Sequence, residues 1–149
     1  MIKLISAFEK EVLLDCSEHT SRRQLVRYLK SPNVAVVVLY DDSKKICAYG
    51  IGSFRRFKKP SGRILKLAVR KDMRRKGFGM MVLNCLECFF LQKSATKVFA
   101  EVRQSNTASI KLFQKSGYKI SGTLYGYYGC QNESYNLEDG LKFLKELSK

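Results

Sequence analysis

An α+β fold in one domain, residues 1–149, is what this sequence predicts, on three observations. Short β-branched or alternating runs are interleaved with longer runs of helical periodicity, and the two kinds do not alternate one for one. At 149 residues the chain is the size of one domain. No repeat, low-complexity tract or linker divides it.

The elements follow in order. Residues 2–8 alternate apolar and polar and read as a first strand, with a short helix over 9–16. Thr20 or Ser21 is placed to cap a helix reaching Lys30, with Leu25, Tyr28 and Leu29 at helical spacing. Residues 34–40, VAVVVLY, are β-branched and continuous, which predicts a buried strand. A turn over 41–44 and a returning strand over 46–54 complete a hairpin. Gly50 and Gly52 fall inside that strand and mark a bulge or a close contact. A basic loop over 58–62 precedes a strand at 64–69. An apolar helix is expected from about 77 to 91, a strand over 98–102, and a helix over 106–115 stopped by Ser116 and Gly117. Residues 118–124 and 134–137 read as the last strands, and 140–147 as a final helix.

Net charge is +15, unevenly spread. Residues 63–119 carry 13 Lys/Arg against 3 Asp/Glu, and the densest stretch, from Arg55 to Lys76, holds 11 basic residues against Asp72 alone. Such a field attracts anions, whether a phosphorylated ligand, an acidic protein or a nucleic acid. The five cysteines, Cys16, Cys47, Cys85, Cys88 and Cys130, are an odd set. With no hydrophobic signal core at the start and no apolar run near the ~20 residues of a membrane span, they predict a soluble, reducing, cytoplasmic setting with no membrane partner.

The segment Arg74-Arg75-Lys76-Gly77-Phe78-Gly79 lies between an expected strand and helix. A helix start offers unpaired N–H groups and a partial positive charge, and glycine lets a ligand approach closely, so this pattern suits a phosphate or pyrophosphate. The motif is neither a P-loop, which needs Gly-Lys-Ser/Thr, nor a dinucleotide fingerprint, whose third glycine position is Val82. Cys85 and Cys88 have C-x-x-C spacing but lie on an expected helix with no second pair, and His19 is the sole histidine. No metal is expected, both cysteines read as small core residues, and His19 as a solvated loop residue. The absence of a Gly-x-Ser-x-Gly elbow argues against a serine hydrolase.

At this point the residues resemble the GNAT acetyltransferase family. Arg74-x-x-Gly77-x-Gly79 is similar to that family's Arg/Gln-x-x-Gly-x-Gly/Ala loop. Glu101-Val102-Arg103 followed by Asn106-x-x-Ser109-x-x-Leu112-Phe113-x-x-x-Gly117-Tyr118 is similar to its next strand, helix and strand. The resemblance is closest to the subgroup that acetylates protein N-termini, including ribosomal-protein alanine acetyltransferases, and Tyr127-Tyr128 resembles that subgroup's paired tyrosines. The resemblance implies a mixed, mostly antiparallel sheet of six to seven strands flanked by helices. It implies acetyl-CoA as acyl donor and a primary amine as acceptor, on a protein N-terminus or lysine. The backbone of Leu67, Ala68 and Val69 would pair with the pantetheine arm as an added strand does. Amides from Arg74, Arg75, Lys76, Gly77, Phe78, Gly79 and Met80 would hold the pyrophosphate. Asn106 would contact the cofactor arm, a role its N-cap position does not exclude, and Ser109 and Phe113 would line the same side.

Glu101 is the implied general base, because the amine must lose a proton to attack the thioester. The alternative is a structural ion pair with Arg103, two residues along the same strand face. The family usually carries tyrosine at the position of Phe113, where its hydroxyl protonates the leaving thiolate. Tyr118 and Tyr128 are the candidate replacements, with Tyr125 and Tyr127 beside them; a thiolate whose pKa is about 8.5 can also leave unassisted. Two other readings compete. One is a nucleic-acid or ribosome-binding module built on the Arg55 to Lys76 stretch, where Phe54, Phe57 and Phe78 are the only aromatics. The other is a CoA-binding relative with little activity.

Overall fold

A computed structural model describes residues 1–13, 19–128 and 138–148. Its elements are α1 (Ile2–Val12), α2 (Arg22–Lys30), β1 (Val34–Tyr40), β2 (Ile46–Arg55), β3 (Ser61–Val69), a 3-10 turn (Lys71–Met73), α3 (Phe78–Gln92), β4 (Lys97–Arg103), α4 (Thr107–Lys115), β5 (Lys119–Tyr128) and β6 (Glu138–Glu146). The described strands form one six-stranded sheet in the order β1-β2-β3-β4-β6-β5. Every neighbouring pair is antiparallel except β3 with β4, which is parallel. The mixed α+β architecture expected from the sequence is therefore present. The expected strand at 134–137, and Cys16 and Cys130, lie outside the described residues.

Two elements correct the sequence reading. The first is residues 2–8, which are helix and not strand. The seven-residue alternation is the start of a longer helical period: Ile5, Phe8 and Glu9 are buried, and Val12 packs half-buried on the same side. Glu9 fastens this helix. Its carboxylate accepts from Thr20 N–H at 2.6 Å, from the Thr20 hydroxyl at 2.7 Å and from the buried Tyr49 hydroxyl of β2. The second is 140–147, read as helix, which belongs to β6. Its Leu, Lys and Glu residues have good helix propensity, but the segment pairs along its length with β4 on one side and β5 on the other. Two ladders outweigh tenths of a kcal/mol of propensity per residue.

The sheet is covered on both faces. Ile5, Phe8 and Leu25 from α1 and α2 pack on Ile46, Tyr49, Ile51 and Ala68. On the other face Val82, Leu83, Leu86 and Phe90 of α3, with Phe113 of α4, pack on Ala48, Ile64, Val98, Ala100 and Phe143. Helix α3 lies very close to the sheet because three glycines lie beneath it. A Cβ on Gly50 would come within 2.4 Å of Val82, one on Gly52 within 2.6 Å of Phe90, and one on Gly62 within 2.4 Å of the Phe90 ring. The close contact expected at Gly50 and Gly52 is thus met, whereas the irregularity beside them puts its extra residue on the partner strand. Ile51 pairs with Lys66 and Gly52 with Ile64, which leaves Leu65 as an extra residue in β3.

The remaining punctuation follows the sequence. Ser21 caps α2 through its Oγ and the Gln24 N–H, and Asn106 caps α4 through Oδ1 and the Ser109 N–H, both at 3.1 Å. Gly117 stops α4 in the left-handed region at φ 88°, with Tyr118 N–H bonded back to the Phe113 carbonyl. His19 is not a free loop residue: its Nε2 lies 2.9 Å from the Leu13 carbonyl. Cys85 and Cys88 are exposed on α3 instead of buried in the core; of the three described cysteines, Cys47 is the buried one. Among the described residues no helix is long and apolar enough to cross a membrane.

Substituting Gly62 by Ala is expected to destabilise the fold by about 1–3 kcal/mol through overpacking against Phe90. Gly122→Ala, where a Cβ meets nothing within 4 Å, is expected to change stability by under about 0.5 kcal/mol. Urea denaturation of both variants checks the contrast.

Candidate active site

The parallel ladder between β3 and β4 is short. It runs from Ser61 opposite Lys97 to Ile64 opposite Ala100 and stops there. The stop coincides with the extra residue Leu65, and a bulge of this kind bends its strand and increases its twist. Beyond it β3 stays with β2 as far as Val69, and β4 stays with β6 as far as Arg103, so the two strands part. The backbone edge of β3 that includes Leu67 and Ala68 therefore faces a cleft. At its upper end the Val69 carbonyl accepts from Arg74 Nε at 3.1 Å, which ties the following loop to the strand.

That loop leads into α3. Arg75 and Gly77 both have positive φ, 62° and 85°, and Gly77 is the N-cap residue. No atom lies within 4 Å of where a Cβ on Gly77 would be, so the backbone is open to a ligand there. The first helical hydrogen bond is donated by Met81 to the Gly77 carbonyl. The N–H groups of Phe78, Gly79 and Met80 consequently have no helical acceptor. Arg74, Arg75 and Lys76 are exposed around this turn. Arg70, in contrast, is taken up. It bonds Asp72 at 2.7 Å, Asp41 at 2.8 Å and the Ile46 carbonyl at 3.1 Å. The Asp72 and Asp41 bonds raise the Arg70 pKa, and those with the Lys45 N–H and Arg70 lower that of Asp41. Gly79 lets α3 and α4 close up: a Cβ there would come 2.8 Å from Leu112. Asn106 and Ser109 stand at the start of α4, on the β4 side of the cleft.

Glu101 lies on β4 just past the last pair with β3. In that strand Val98, Ala100 and Val102 point into the core, so Phe99, Glu101 and Arg103 take the opposite face. The Glu101 carboxylate receives Arg63 Nη2 from β3 at 2.8 Å. It is thus ion-paired, but with Arg63, not with Arg103 as one sequence alternative had it; Arg103 pairs with Glu138 at 3.2 Å. A third group lies close by. The Glu101 carboxylate, with burial next, raises the pKa of the Tyr127 hydroxyl. Tyr128 sits alongside, its ring 5.0 Å from that of Tyr127 and beneath the Arg103 guanidinium at 4.5 Å.

Tyr118 stands apart from this cluster. It is 2% exposed, and its hydroxyl donates to Glu87 Oε1 at 3.0 Å. Lys145 Nζ bonds the same carboxylate at 3.0 Å. Burial, then Glu87, drives the Tyr118 pKa far up. Phe113 is sealed in the same core, edge-on to Tyr118 at 5.0 Å and stacked on Phe143 at 5.4 Å. The sequence could not single out Arg63, which is 38 residues from its partner. Tyr127 was visible as one of a tyrosine pair and of four candidate tyrosines, with nothing to place it beside Glu101.

A cleft between parting strands, with helix N–H groups at one end and a carboxylate on its wall, suits an extended ligand carrying a terminal anion. Comparison with known proteins agrees with this class. Residues 2–118 match the Acetyltransferase (GNAT) family, and the chain belongs to it. An N-alpha-acetyltransferase of Saccharolobus solfataricus is 31% identical over 75 residues, which cover 50% of this chain and 45% of that protein. The chain thus matches about half the length of this relative. Among solved structures, Naa20 of Chaetomium thermophilum, in complex with a bisubstrate analogue, has a TM-score of 0.80 at 24% identity, over 93% of this chain and 80% of that one. The ribosomal-protein-S18-alanine N-acetyltransferase of Escherichia coli has a TM-score of 0.78 at 18% identity, over 99% and 88%. At these identities the likeness is one of fold.

Tyr118→Phe is expected to lower stability by about 1–2 kcal/mol near neutral pH, because Glu87 loses a bond in the core. The folded-state pKa is raised, so the hydroxyl's contribution is complete below the unfolded value of about 10 and is lost as pH rises beyond it. The substitution should therefore flatten the fall of stability above pH ~10. Denaturant midpoints of both proteins across that range check the sign.

Proposed function

We propose that the protein transfers an acetyl group from acetyl-CoA to a primary amine, with a protein N-terminus as the favoured acceptor. The observation that carries this reading is the end of β3–β4 pairing at Ile64 and Ala100, one residue before Glu101, which leaves the β3 edge at Leu67 and Ala68 without β4 beside it. Family membership supports the donor. The name of the Saccharolobus solfataricus relative supports the acceptor class.

In this reading the free edge at Leu67 and Ala68 takes the pantetheine amides as an added strand would. The N–H groups of Phe78, Gly79 and Met80, with Arg75 and Lys76 beside them, receive the pyrophosphate. Asn106, whose Oδ1 is engaged as the α4 cap, has its side-chain amide group left to offer the cofactor arm. The acetyl carbonyl carbon is then attacked by the neutral amine, the C–N bond forms, and the C–S bond breaks. Glu101 accepts the proton that the amine gives up, directly or through one water. Arg63 holds its carboxylate in place, and the incoming amine or its water must reach it past Arg63 and the neighbouring Tyr127 hydroxyl.

The sulfur leaves as thiolate or takes a proton from a nearby donor. Phe113 has no hydroxyl to give, and Tyr118 has already donated its own to Glu87. Tyr127 holds its proton at neutrality, as a tyrosine with a pKa of about 10 already does, the Glu101 carboxylate raises that pKa further, and it is next to the base. Tyr128 is one residue further and fixed against Arg103. We assign Tyr127 to holding Glu101 and the reacting groups in register, a contribution of positioning more than of acidity. The missing hydroxyl at Phe113 favours one second reading, a CoA-binding relative with little turnover.

Glu101→Gln is expected to lower kcat by at least about 100-fold while leaving acetyl-CoA affinity unchanged. Gly77→Glu is expected to abolish acetyl-CoA binding, since it places a carboxylate where the pyrophosphate would sit and a side chain at φ 85°. Calorimetric titration with acetyl-CoA and thiol-release assays with peptide acceptors test both. Failure of the unsubstituted protein to bind acetyl-CoA would overturn the proposal. Tight binding without transfer to any peptide N-terminus would favour the second reading.

A further inference from the structure

The basic stretch from Arg55 to Lys76 is continuous in sequence but not in space. Strand β3 divides it. From Ser61 to Val69, at about 3.3 Å per residue, is roughly 26 Å. Arg70 to Lys76 lie at the α3 N-terminus, while Arg55 ends β2 and Arg56, Lys58 and Lys59 lie in the β2–β3 connection, at the other end of the sheet. Separation by three Debye lengths, about 8 Å each at physiological salt, leaves the second group without influence on a phosphate seated at the first. The cofactor reading therefore gives these four cations nothing to do.

The fold adds to them. Helix α3 runs back along the sheet, as Val82 over Gly50 and Phe90 over Gly52 and Gly62 require, and delivers Lys93 to this end. Lys97 opens β4 beside Ser61. The connection is pinned to this turn by two bonds to the Pro60 carbonyl, from Thr96 N–H at 3.0 Å and the Thr96 hydroxyl at 3.3 Å. Amid these cations Phe57 is 72% exposed, the most exposed phenylalanine described. Among the described residues, Glu146 on β6 is the acid that lies opposite Lys97.

We propose that this pole, Arg55 to Lys59 with Lys93 and Lys97, binds single-stranded polynucleotide. Closely spaced Arg and Lys groups neutralise successive phosphates, Arg by paired N–H contacts. An exposed ring among them offers a face on which an unpaired base stacks. A lipid surface fits less well, because membrane-lying segments present a broad apolar face and this pole has one exposed ring. The proposal is independent of acetyl transfer, and its test needs no acetyl-CoA.

The test is fluorescence anisotropy with short oligouridine RNA, oligothymidine DNA and a duplex, from about 50 to 200 mM salt, beside flotation with phosphatidylserine vesicles. The expected result is tighter binding of single strands than of duplex, with affinity falling steeply with salt. The combined variant R55Q/R56Q/K58Q/K59Q should reduce the slope of log affinity against log salt by about 3, with an unchanged circular dichroism melt. Phe57→Ala should weaken single-strand binding at least about fivefold with the salt slope unaltered. Preference for RNA over DNA would identify the natural strand as RNA, and the reverse as DNA. Absence of single-strand binding, binding indifferent to both variants, preference for duplex, or stronger capture by vesicles would each overturn the proposal.

Discussion

The parting of β3 from β4 is the constraint on which the molecule's arrangement rests. Parallel neighbours in a sheet normally stay together to satisfy backbone groups, and leaving an edge unpaired carries a free-energy cost. Here one extra residue, Leu65, changes the course of β3 immediately after the last shared pair. Each strand keeps its other neighbour, so neither half of the sheet unravels. What opens is a slot with backbone groups on one wall and Glu101 on the other. Arg63 reaches across from just below the branch to hold Glu101. The cation that orients the carboxylate thus comes from the part of β3 that is still fixed.

Charge follows the same geometry. A linear count places eleven cations in one run, but the fold deals them to different tasks. Arg70 is consumed by Asp41, Asp72 and the Ile46 carbonyl and serves as a bolt between β3 and the β1–β2 turn. Arg74 fastens the loop to Val69. Arg63 belongs to the Glu101 cluster. Arg75 and Lys76 stand exposed at the α3 start, and the Arg55 to Lys59 group stands at the opposite pole. Net charge by itself describes none of these.

The middle of the chain was legible because its signals are local. The glycine turn, the Asn106 cap, the Gly117 stop and the β-branched run of β1 each need only near neighbours to take effect. The two ends were not. Residues 2–8 are too few to separate a period of 2 from 3.6, and the deciding evidence lies in Glu9, whose partners Thr20 and Tyr49 are 11 and 40 residues away. Residues 140–147 have a helical composition and become strand only because two other strands flank them. The candidate site divides likewise. Its backbone components were visible as a motif, and Glu101 as an acid in an apolar strand. Its setting was not, since Arg63 and Tyr127 reach Glu101 only through tertiary structure. Cys85 and Cys88 were misplaced for a related reason: a helix that is apolar nearly all round gives no clear sign of which side faces out.

The contact between α3 and the sheet bears on how such a sequence can drift. Phe90 fits because Gly52 and Gly62 leave room for its ring, and Val82 because Gly50 does the same. A larger residue on the strand is admissible only if the helix residue above it has already shrunk, and a smaller helix residue leaves a hole that the strand must then fill. Neighbouring lineages should therefore differ at these positions in pairs. The order of change would be constrained too, with the helix side moving first, since a void of one or two methylene groups is tolerated more easily than two nuclei forced below van der Waals contact.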